Sequence, residues 1–286
     1  MPLRYAIRMD QAIEVRQSFD SPTVYLDHWA IRRFSDDKAL RLRFVNALHN
    51  TGGTLFLSHQ TFAEFVGPDD PSHAAHAEQF LDEVLPNIYI AEINTEKAIR
   101  QESDPRRRGQ KIPPPPDLDL LKLLALQRPT TPRAFTIAGL ITEVTAHRDR
   151  LVKTFRETNQ ELANTINTQR HKPDFVKKAR NFKATKDRAR TLIVMEEILR
   201  GVILDPLVPI TESDAADIQH AIISTSYCDY VLLDGKWEDM IRRMEHRIAK
   251  LELPITHARC FSERRNGLEN FLLELEAEPM NCRELA

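Results

Sequence analysis

Short apolar runs and longer amphipathic stretches alternate in two separate parts of the chain. In the first part, TVYLD at 23–27 and TLFLS at 54–58 are rich in β-branched and aromatic residues, which predicts two buried strands. Apolar residues recur at helical spacing from about Ala30 to His49, and NTGG at 50–53 predicts the end of that helix because glycine tolerates a left-handed backbone. The same pattern predicts helices at 59–66 and 73–85 and a strand at 87–93.

The alternation returns towards the C-terminal end. Thr211 is a good N-cap for a helix over 213–226, and DYVLLD at 229–234 is a compact apolar strand. The pattern then predicts a final strand at 253–257 and an amphipathic helix at 267–278. Short apolar strands separated by helices predict an α/β fold of three layers, α/β/α, in which helices cover both faces of a central parallel sheet.

The middle of the chain has a different texture, because strand-like runs are weak there. DPRRRGQKIPPPPD at 104–117 predicts an exposed extended loop, since proline fixes φ and removes backbone donors. Residues 134–200 are mostly compatible with helix, and Pro173 is the clear break. The predicted units are therefore a discontinuous α/β core, a mainly helical insertion and a C-terminal helix, at 20–95 with 205–260, at 100–200 and at 261–286.

The composition favours an ordinary globular protein. Of the 286 residues, 42% are hydrophobic, which is enough to fill a core. No stretch approaches the roughly 18 apolar residues of a membrane span, and MPLRYAIRMD carries charges where a signal peptide needs an apolar run. A cytoplasmic location is the resulting expectation. Cys228, Cys260 and Cys282 form no C-x-x-C pair, so we expect three free thiols.

Four or five acidic residues are expected to meet at one edge of the predicted sheet. Asp27 and Asp234 each end a strand, and ligands of open parallel sheets bind at the carboxyl ends of the strands. Glu64 lies on the helix that leaves the second strand, and Asp214 and Asp217 share one face near the start of a later helix. Carboxylates within a few ångström of one another repel and raise one another's pKa. A divalent cation that prefers oxygen ligands, Mg²⁺ or Mn²⁺, would resolve this conflict.

Each acid also has an ordinary structural interpretation. An aspartate after a strand is often a turn former or a helix cap, which applies to Asp27 and to Asp234. Glu64 on its own is interpreted as a solvated helix residue, and Asp214 follows Thr211 in a T-x-x-D arrangement that is typical of a capping box. Asp217 is harder to explain in this way, because it lies inside the predicted helix beside apolar residues.

Four of these acids, in chain order, resemble the pattern of the PIN domain, a compact α/β/α nuclease fold. The matching segments are VYLDHWAI with Asp27, LSHQTFAEF with Glu64, DAADIQHAI with Asp217 and YVLLDGKW with Asp234. The resemblance covers residues 20–95 and 205–260, whereas the helical block between them has no counterpart in the minimal fold. LLDGKW also departs from the more frequent form of the last motif, in which polar residues precede the aspartate.

The resemblance implies a metal-dependent ribonuclease, toxin-like or similar to RNA-processing factors, that hydrolyses RNA phosphodiesters with Mg²⁺ or Mn²⁺. It implies Asp27 and Asp234 as direct metal ligands, with Asp217 completing the site and Asp214 as an auxiliary ligand. Glu64 would bind the metal through water or act as a base that positions the nucleophilic water.

Other polar residues near these acids have less defined roles. Ser58 and Thr61 could orient water or substrate, and so could His220, for which a helix residue with a satisfied hydrogen bond is the alternative. His73 and His76 have the spacing of a metal-binding pair, but no third ligand accompanies them in the sequence.

Positive charge is concentrated in one segment although the whole chain has a net charge of −2. Nine Lys or Arg residues and two acids lie between Arg170 and Arg190. Phosphate contacts supply most of the sequence-independent affinity for nucleic acid, so this segment is a candidate for binding RNA, or single-stranded DNA. A solvated face of a charged helix is the alternative. The candidate contacts are Lys172, Lys177, Lys178, Arg180, Lys183 and Lys186.

Rival functions fit the sequence less well. A phosphatase of the haloacid dehalogenase type needs a second Asp two residues after the first, and Trp29 stands there. A receiver-like domain would leave Asp217 and Asp234 without a role. A catalytically inactive PIN-like scaffold that binds RNA or protein remains the alternative. The sequence leaves open whether an inhibitory or regulatory protein binds the chain and whether the chain forms a homodimer. No membrane partner is expected.

Overall fold

The computed structural model of the chain describes residues 3–7, 13–66, 71–107, 112–126, 148–205, 209–253 and 255–279. An antiparallel hairpin at the N-terminus consists of β1 (Leu3–Ile7) and β2 (Ile13–Gln17). Five parallel strands form the central sheet, namely β3 (Thr23–Leu26), β4 (Thr54–Ser58), β5 (Ile88–Ala91), β6 (Tyr230–Leu232) and β7 (Arg259–Phe261). Their order across the sheet is β5-β4-β3-β6-β7.

Helices precede, connect and follow these strands. In chain order they are α1 (His28–Asp36), α2 (Lys38–Thr51), α3 (His59–Val66), α4 (Pro71–Val84), α5 (Thr95–Glu102), α6 (Leu118–Leu126), α7 (Arg148–Gln169), α8 (Pro173–Asn181), α9 (Arg190–Leu204), α10 (Glu212–Tyr227), α11 (Gly235–Lys250) and α12 (Gly267–Ala277). None of the helices within the described ranges combines the length and the apolar character that a membrane crossing needs.

Two apolar cores lie on opposite faces of the sheet. Val24 and Leu26 point into the first core, and Tyr25 points into the second, because successive side chains of a strand alternate between its faces. Helices α1, α2, α4 and α12 contribute to the first core, whereas α5, α7, α9, α10 and α11 contribute to the second. The expected α/β architecture, with helices on both faces of a parallel sheet, is confirmed.

The strand order defines a crevice at the carboxyl edge of the sheet. From the central strand β3, the chain adds β4 and β5 on one side, and later β6 and β7 on the other. The direction of winding therefore reverses at β3, and the carboxyl ends beside such a reversal leave room for a ligand.

Two predicted elements differ from the structure. The helix expected from Ala30 to His49 is two helices, because the side chain of Asp37 accepts hydrogen bonds from Ala39 N and Leu40 N, at 3.0 and 3.1 Å, and so starts α2. Its predicted end is confirmed, since Gly52 closes α2 with φ of 63°.

The final strand is β7 at Arg259–Phe261 and not residues 253–257. Ala258 explains part of this shift, because its N–H donates to Thr225 O of α10 at 2.9 Å and so the chain joins the sheet only after this residue. The predicted C-terminal helix over 267–278 is confirmed as α12.

The middle of the chain contributes to the core of the second face. Ala163 and Ile166 of α7 and Ile193 and Val194 of α9 are buried there. Helix-compatible residues 134–147 lie outside the described residues, and so does Cys282, whereas Cys228 and Cys260 form no disulfide bond within the described residues, as expected. The division of the chain into core, insertion and C-terminal helix stays a prediction.

The proline-rich segment runs along the outer edge of β5. Glu92 N donates to Pro115 O at 2.8 Å, and Asp117 N donates to Ile90 O at 3.2 Å. The described residues of the segment form two parts: Pro105–Arg107 is a 3₁₀ turn, and 112–117 is extended, as proline favours. The predicted exposure is wrong for most of 112–117, because this part covers the strand edge and Ile112, Pro114 and Pro115 are buried.

Candidate metal centre

Asp27 is fixed at the carboxyl end of β3. Its backbone N–H donates to Leu232 O of the neighbouring strand at 3.0 Å. Its side chain accepts a hydrogen bond from His28 N at 2.9 Å and so caps α1. The structural interpretation of Asp27 as a helix cap is thus confirmed, and this capping bond uses Oδ1 of the carboxylate.

Glu64, Asp217 and Asp234 reach the same edge from three different helices. Glu64 lies on α3, which leaves β4, and Asp217 lies in the second turn of α10. Asp234 is the N-cap residue of α11, yet its side chain forms no capping hydrogen bond. Asp27 and Glu64 are not completely buried, and Asp234 is exposed, so the group is accessible from solvent.

Asp27, Glu64 and Asp217 have raised pKa values, and neighbouring carboxylates of the group contribute to each shift. Burial raises the pKa of Asp27 to about 7, and the charges of Asp217 and Asp234 act in the same direction. Burial also raises the pKa of Asp217 to about 6, with Asp234 adding to the effect and a hydrogen bond with Trp237 opposing it. The pKa of Glu64 is raised well above its usual value by burial and by Asp27 and Asp217. The structure therefore brings the four acids of the resemblance together.

No described Lys or Arg residue forms an ion pair with any of these four carboxylates. Lys236 is the nearest cation to act on Asp217, but its amine is hydrogen-bonded to Asp214 Oδ1. Uncompensated carboxylates in a partly buried crevice are costly, because desolvation and mutual repulsion both oppose their charge. This oxygen-rich donor set fits a hard divalent cation.

Asp214 has hydrogen-bond partners and, unlike the other four acids, a described ion-pair partner of its own. Thr211 Oγ1 accepts from Asp214 N at 3.1 Å, and Asp214 Oδ2 accepts from Thr211 N at 2.9 Å, so the predicted capping box is confirmed. Burial would raise the pKa of Asp214, but Lys236 and Thr211 more than offset it and lower the pKa. The auxiliary metal role of Asp214 stays a prediction.

His220 belongs to the site more closely than the sequence indicates. One ligand atom each from Asp27, Glu64 and His220 lie within 4.8 Å of one another. The imidazole is only 1% exposed, with Nδ1 at 2.8 Å from Tyr25 Oη and Nε2 at 3.5 Å from Ser58 Oγ. Burial, with a smaller effect of His59, lowers the pKa of His220 to about 3, so the ring is neutral at neutral pH.

The sequence predicts His220 only as a residue that could orient water or substrate, because its distance to Asp27 and Glu64 depends on how α10 packs on the sheet. A signal was nevertheless present. His220 follows Asp217 by three positions, and residues at this spacing share one face of a helix. The satisfied hydrogen bond expected for His220 is confirmed by Tyr25. Ser58 and Thr61 contact each other through their hydroxyl groups at 3.2 Å beside this imidazole.

The basic segment between Arg170 and Arg190 divides into two groups. Arg170, Arg188 and Arg190 bind other parts of the chain, through backbone carbonyls of α9 and its C-cap, Glu196 and Glu102, respectively. The other six cations are exposed and pair with no acid of the described residues; they are the predicted contacts Lys172, Lys177, Lys178, Arg180, Lys183 and Lys186.

The basic segment starts close to the first turn of α10. Asn167, near the end of α7, exchanges two hydrogen bonds with Ile210, at 2.8 and 3.0 Å. Thr211 follows Ile210 and caps α10, whose second turn carries Asp217. The chain therefore enters the basic segment at the same end of α10 as the acidic crevice.

The other predicted histidine pair forms no described site. His76 is exposed and lies 3.6 Å from Asp36, while the side chain of His73 lies outside the described part of the chain. Comparison of the chain with protein-family models, with curated proteins and with solved structures finds no match.

Proposed function

We propose that the protein is a PIN-like, divalent-metal-dependent nuclease that hydrolyses RNA phosphodiester bonds. The observation that carries this proposal is the group of four carboxylates, Asp27, Glu64, Asp217 and Asp234, which gather at the carboxyl edge of the sheet without a cation from the described residues. A bound Mg²⁺ or Mn²⁺ would balance this charge. The order of the four acids along the chain and the parallel sheet support the PIN-like assignment.

The four acids would have different roles in the reaction. Asp27, Asp217 and Asp234 would hold the ion, which when bound supplies Lewis-acid activation of water and stabilises charge on the phosphate. Glu64 is poised to receive a proton from the attacking water on a carboxylate oxygen, because its raised pKa makes it a better base than an ordinary carboxylate. Partial burial of the crevice strengthens each of these electrostatic interactions.

The basic segment makes nucleic acid the proposed substrate class, and the resemblance to PIN domains favours RNA. Its six exposed cations present a positive surface that begins near the acidic crevice, where it can bind the backbone on either side of a cleaved bond. Phe175, which is 37% exposed in α8, is available for stacking with a base.

A cleavage assay tests the proposal. The full-length protein is incubated with RNA and with single-stranded DNA, with Mg²⁺, with Mn²⁺ or with a chelator. We expect metal-dependent cleavage of RNA, and a loss of about 100- to 1,000-fold or more in the Asp27→Asn/Asp234→Asn double variant. Asp36→Asn, which removes an exposed aspartate on α1, is the control. Equal activity of the double variant and wild type would overturn the mechanism.

A binding measurement separates substrate contact from cleavage. The Asp27→Asn/Asp234→Asn variant serves as the background, because it should bind RNA without cleaving it. In this background Lys177, Lys178 and Arg180 are replaced by Gln, and the affinity for RNA is measured at several salt concentrations. We expect weaker binding and a salt dependence reduced by about 0.7 for each lost phosphate contact. The same loss of charge at exposed Lys38, Arg243 and Lys250 is the control. If the two triple variants bind equally, α8 is not the RNA-binding surface.

A further inference from the structure

We infer that His220 is a nitrogen ligand of the metal centre, so that the centre has a mixed nitrogen and oxygen ligand set and selects Mn²⁺ over Mg²⁺. This inference rests on the proposed function, because it specifies which ion the same crevice prefers. The resemblance to PIN domains implies only acidic ligands, so the imidazole changes the expected chemistry of the site.

The first observation is the separation of the three groups. Ligand atoms of Asp27, Glu64 and His220 lie within 4.8 Å of one another, yet no hydrogen bond or ion pair between them is found among the described residues. Ligands bound to one ion at about 2.1–2.2 Å stand roughly 3–4.4 Å apart in octahedral geometry. These separations therefore allow one ion to contact Asp27 and His220, with Glu64 close enough to reach it through a bound water.

The second observation is the unequal use of the two ring nitrogens. The Tyr25 hydroxyl engages Nδ1 at 2.8 Å, whereas the described polar neighbour of Nε2 is Ser58 Oγ at 3.5 Å, which is longer than an ordinary hydrogen bond. When Nδ1–H donates to Tyr25, the lone pair of Nε2 is free. Metal-binding histidines typically have this arrangement, in which the second nitrogen donates to a fixed partner that orients the ring.

The position of His220 on α10 agrees with this assignment. His220 lies three residues after Asp217, so one face of one helix presents a carboxylate and an imidazole to the crevice. The imidazole is 1% exposed, and the long contact with Ser58 Oγ at 3.5 Å is the described partner of its Nε2. A bound ion would give this buried nitrogen a stronger partner.

A nitrogen ligand changes the choice of metal. Mg²⁺ takes oxygen ligands almost exclusively and holds its waters tightly, whereas imidazole suits later divalent metals better. Between the two ions implied by the acidic residues, Mn²⁺ accepts imidazole more readily. The expected order of affinity is therefore Mn²⁺ above Mg²⁺, with the difference depending on His220.

Electron paramagnetic resonance of the full-length protein loaded with Mn²⁺ alone tests the inference without measuring activity. We expect electron spin-echo modulation from a directly bound nitrogen, which changes character when histidine is labelled with the heavy nitrogen isotope. His220→Gln should abolish this modulation and weaken Mn²⁺ binding at least about tenfold, with a smaller effect on Mg²⁺. His246→Gln, on the exposed surface of α11, should leave the spectrum unchanged.

The outcomes distinguish this inference from the proposed function. Mn²⁺ bound to wild type without nitrogen modulation overturns the role of His220 but leaves the nuclease proposal intact. Absence of both Mn²⁺ and Mg²⁺ binding overturns the two together. The isotope-labelled wild type needs no substitution, so the test holds even if His220→Gln does not fold. Tyr25→Phe, which frees Nδ1 but keeps the ring buried, should retain the modulation and weaken Mn²⁺ binding.

Discussion

Two regions of the described chain contain carboxylates that are buried or partly buried, and the two groups of carboxylates differ in their charged partners. Within the helical layer, Glu197 is 1% exposed and pairs with Arg247 and Arg200, and Glu238 is 3% exposed and pairs with Arg242. At the carboxyl edge of the sheet, Asp27, Glu64 and Asp217 pair with no described Lys or Arg.

Because the protein pairs buried carboxylates with arginine in the helical layer, the unpaired carboxylates of the crevice need a separate explanation. Burying a charge costs several kcal/mol unless a partner compensates it. In the helical layer, arginine side chains of the same chain pair with the buried carboxylates, whereas in the crevice several carboxylates lie together without such partners. Unpaired carboxylates of this kind oppose folding, and they are expected where a cation from solution binds them.

The largest expected effects come from removing one carboxylate from each region. At about pH 8 without metal, Asp27→Asn should raise the free energy of unfolding by on the order of 1–3 kcal/mol, because it removes a charge that burial and neighbouring acids disfavour. Glu197→Gln should lower it by about 2 kcal/mol, because partly buried Arg247 loses its charged partner. Urea unfolding in the presence of a chelator measures both.

Metal-dependent cleavage should rank the same two variants in the opposite order to their stability. Asp27→Asn should lose metal-dependent cleavage although it is more stable, whereas Glu197→Gln should retain it at temperatures where the protein is folded. The comparison fails if both variants are destabilised alike, since Asp27 would then be an ordinary structural residue.

The pH dependence gives a second way to sharpen the comparison. An unfolded aspartate has a pKa of about 4, whereas folding raises the pKa of Asp27 to about 7. Between these values the folded protein binds more protons than the unfolded chain, so this group makes stability fall as pH rises. The advantage of Asp27→Asn over wild type should therefore be absent near pH 4, grow with pH and level off above about pH 7.

The difference in unfolding free energy between wild type and Asp27→Asn reports on Asp27 and not on His220. Folding lowers the pKa of His220 to about 3, which makes stability fall as pH falls below about 6.5, but this contribution is present in both proteins. Saturating Mn²⁺ should remove or reverse the advantage of Asp27→Asn, because the ion binds the ionised carboxylate of wild type. Thermal unfolding across this pH range, with and without Mn²⁺, measures the effect; an advantage that does not vary with pH would argue against a strained carboxylate.

Local chemistry explains which parts of the fold could be predicted from the sequence. TVYLD and TLFLS form strands, and NTGG ends a helix, because β-branched residues and glycine express their preferences within a few residues. The position of Asp27 at the end of a strand then places it at the carboxyl edge of the sheet. Gly53 adds a second local requirement, since a Cβ there would lie 2.5 Å from Pro22 O.

Other features depend on contacts that no local pattern contains. Asp37 divides a continuous amphipathic stretch by capping α2, and helical spacing alone does not show which polar residue will do so. Arg259, Cys260 and Phe261 form an edge strand with little strand-like character, because pairing with β6 decides their conformation. His220 reaches the crevice through the packing of α10 on the sheet, which brings Tyr25 and Ser58 against its ring.

The smallest expected effect concerns Asp214, the acid near the crevice that has its own partners. Thr211→Ala and Asp214→Ala should each lower the free energy of unfolding by about 1 kcal/mol, because each removes one half of the capping box of α10. Affinity for Mn²⁺ should change by less than about threefold in Thr211→Ala, which retains the contact between Asp214 and Lys236. Asp214 is a metal ligand if Asp214→Ala weakens Mn²⁺ binding as strongly as Asp27→Asn does while Thr211→Ala does not. The carboxylates that bind the ion would then include one that lies a turn before Asp217 in α10.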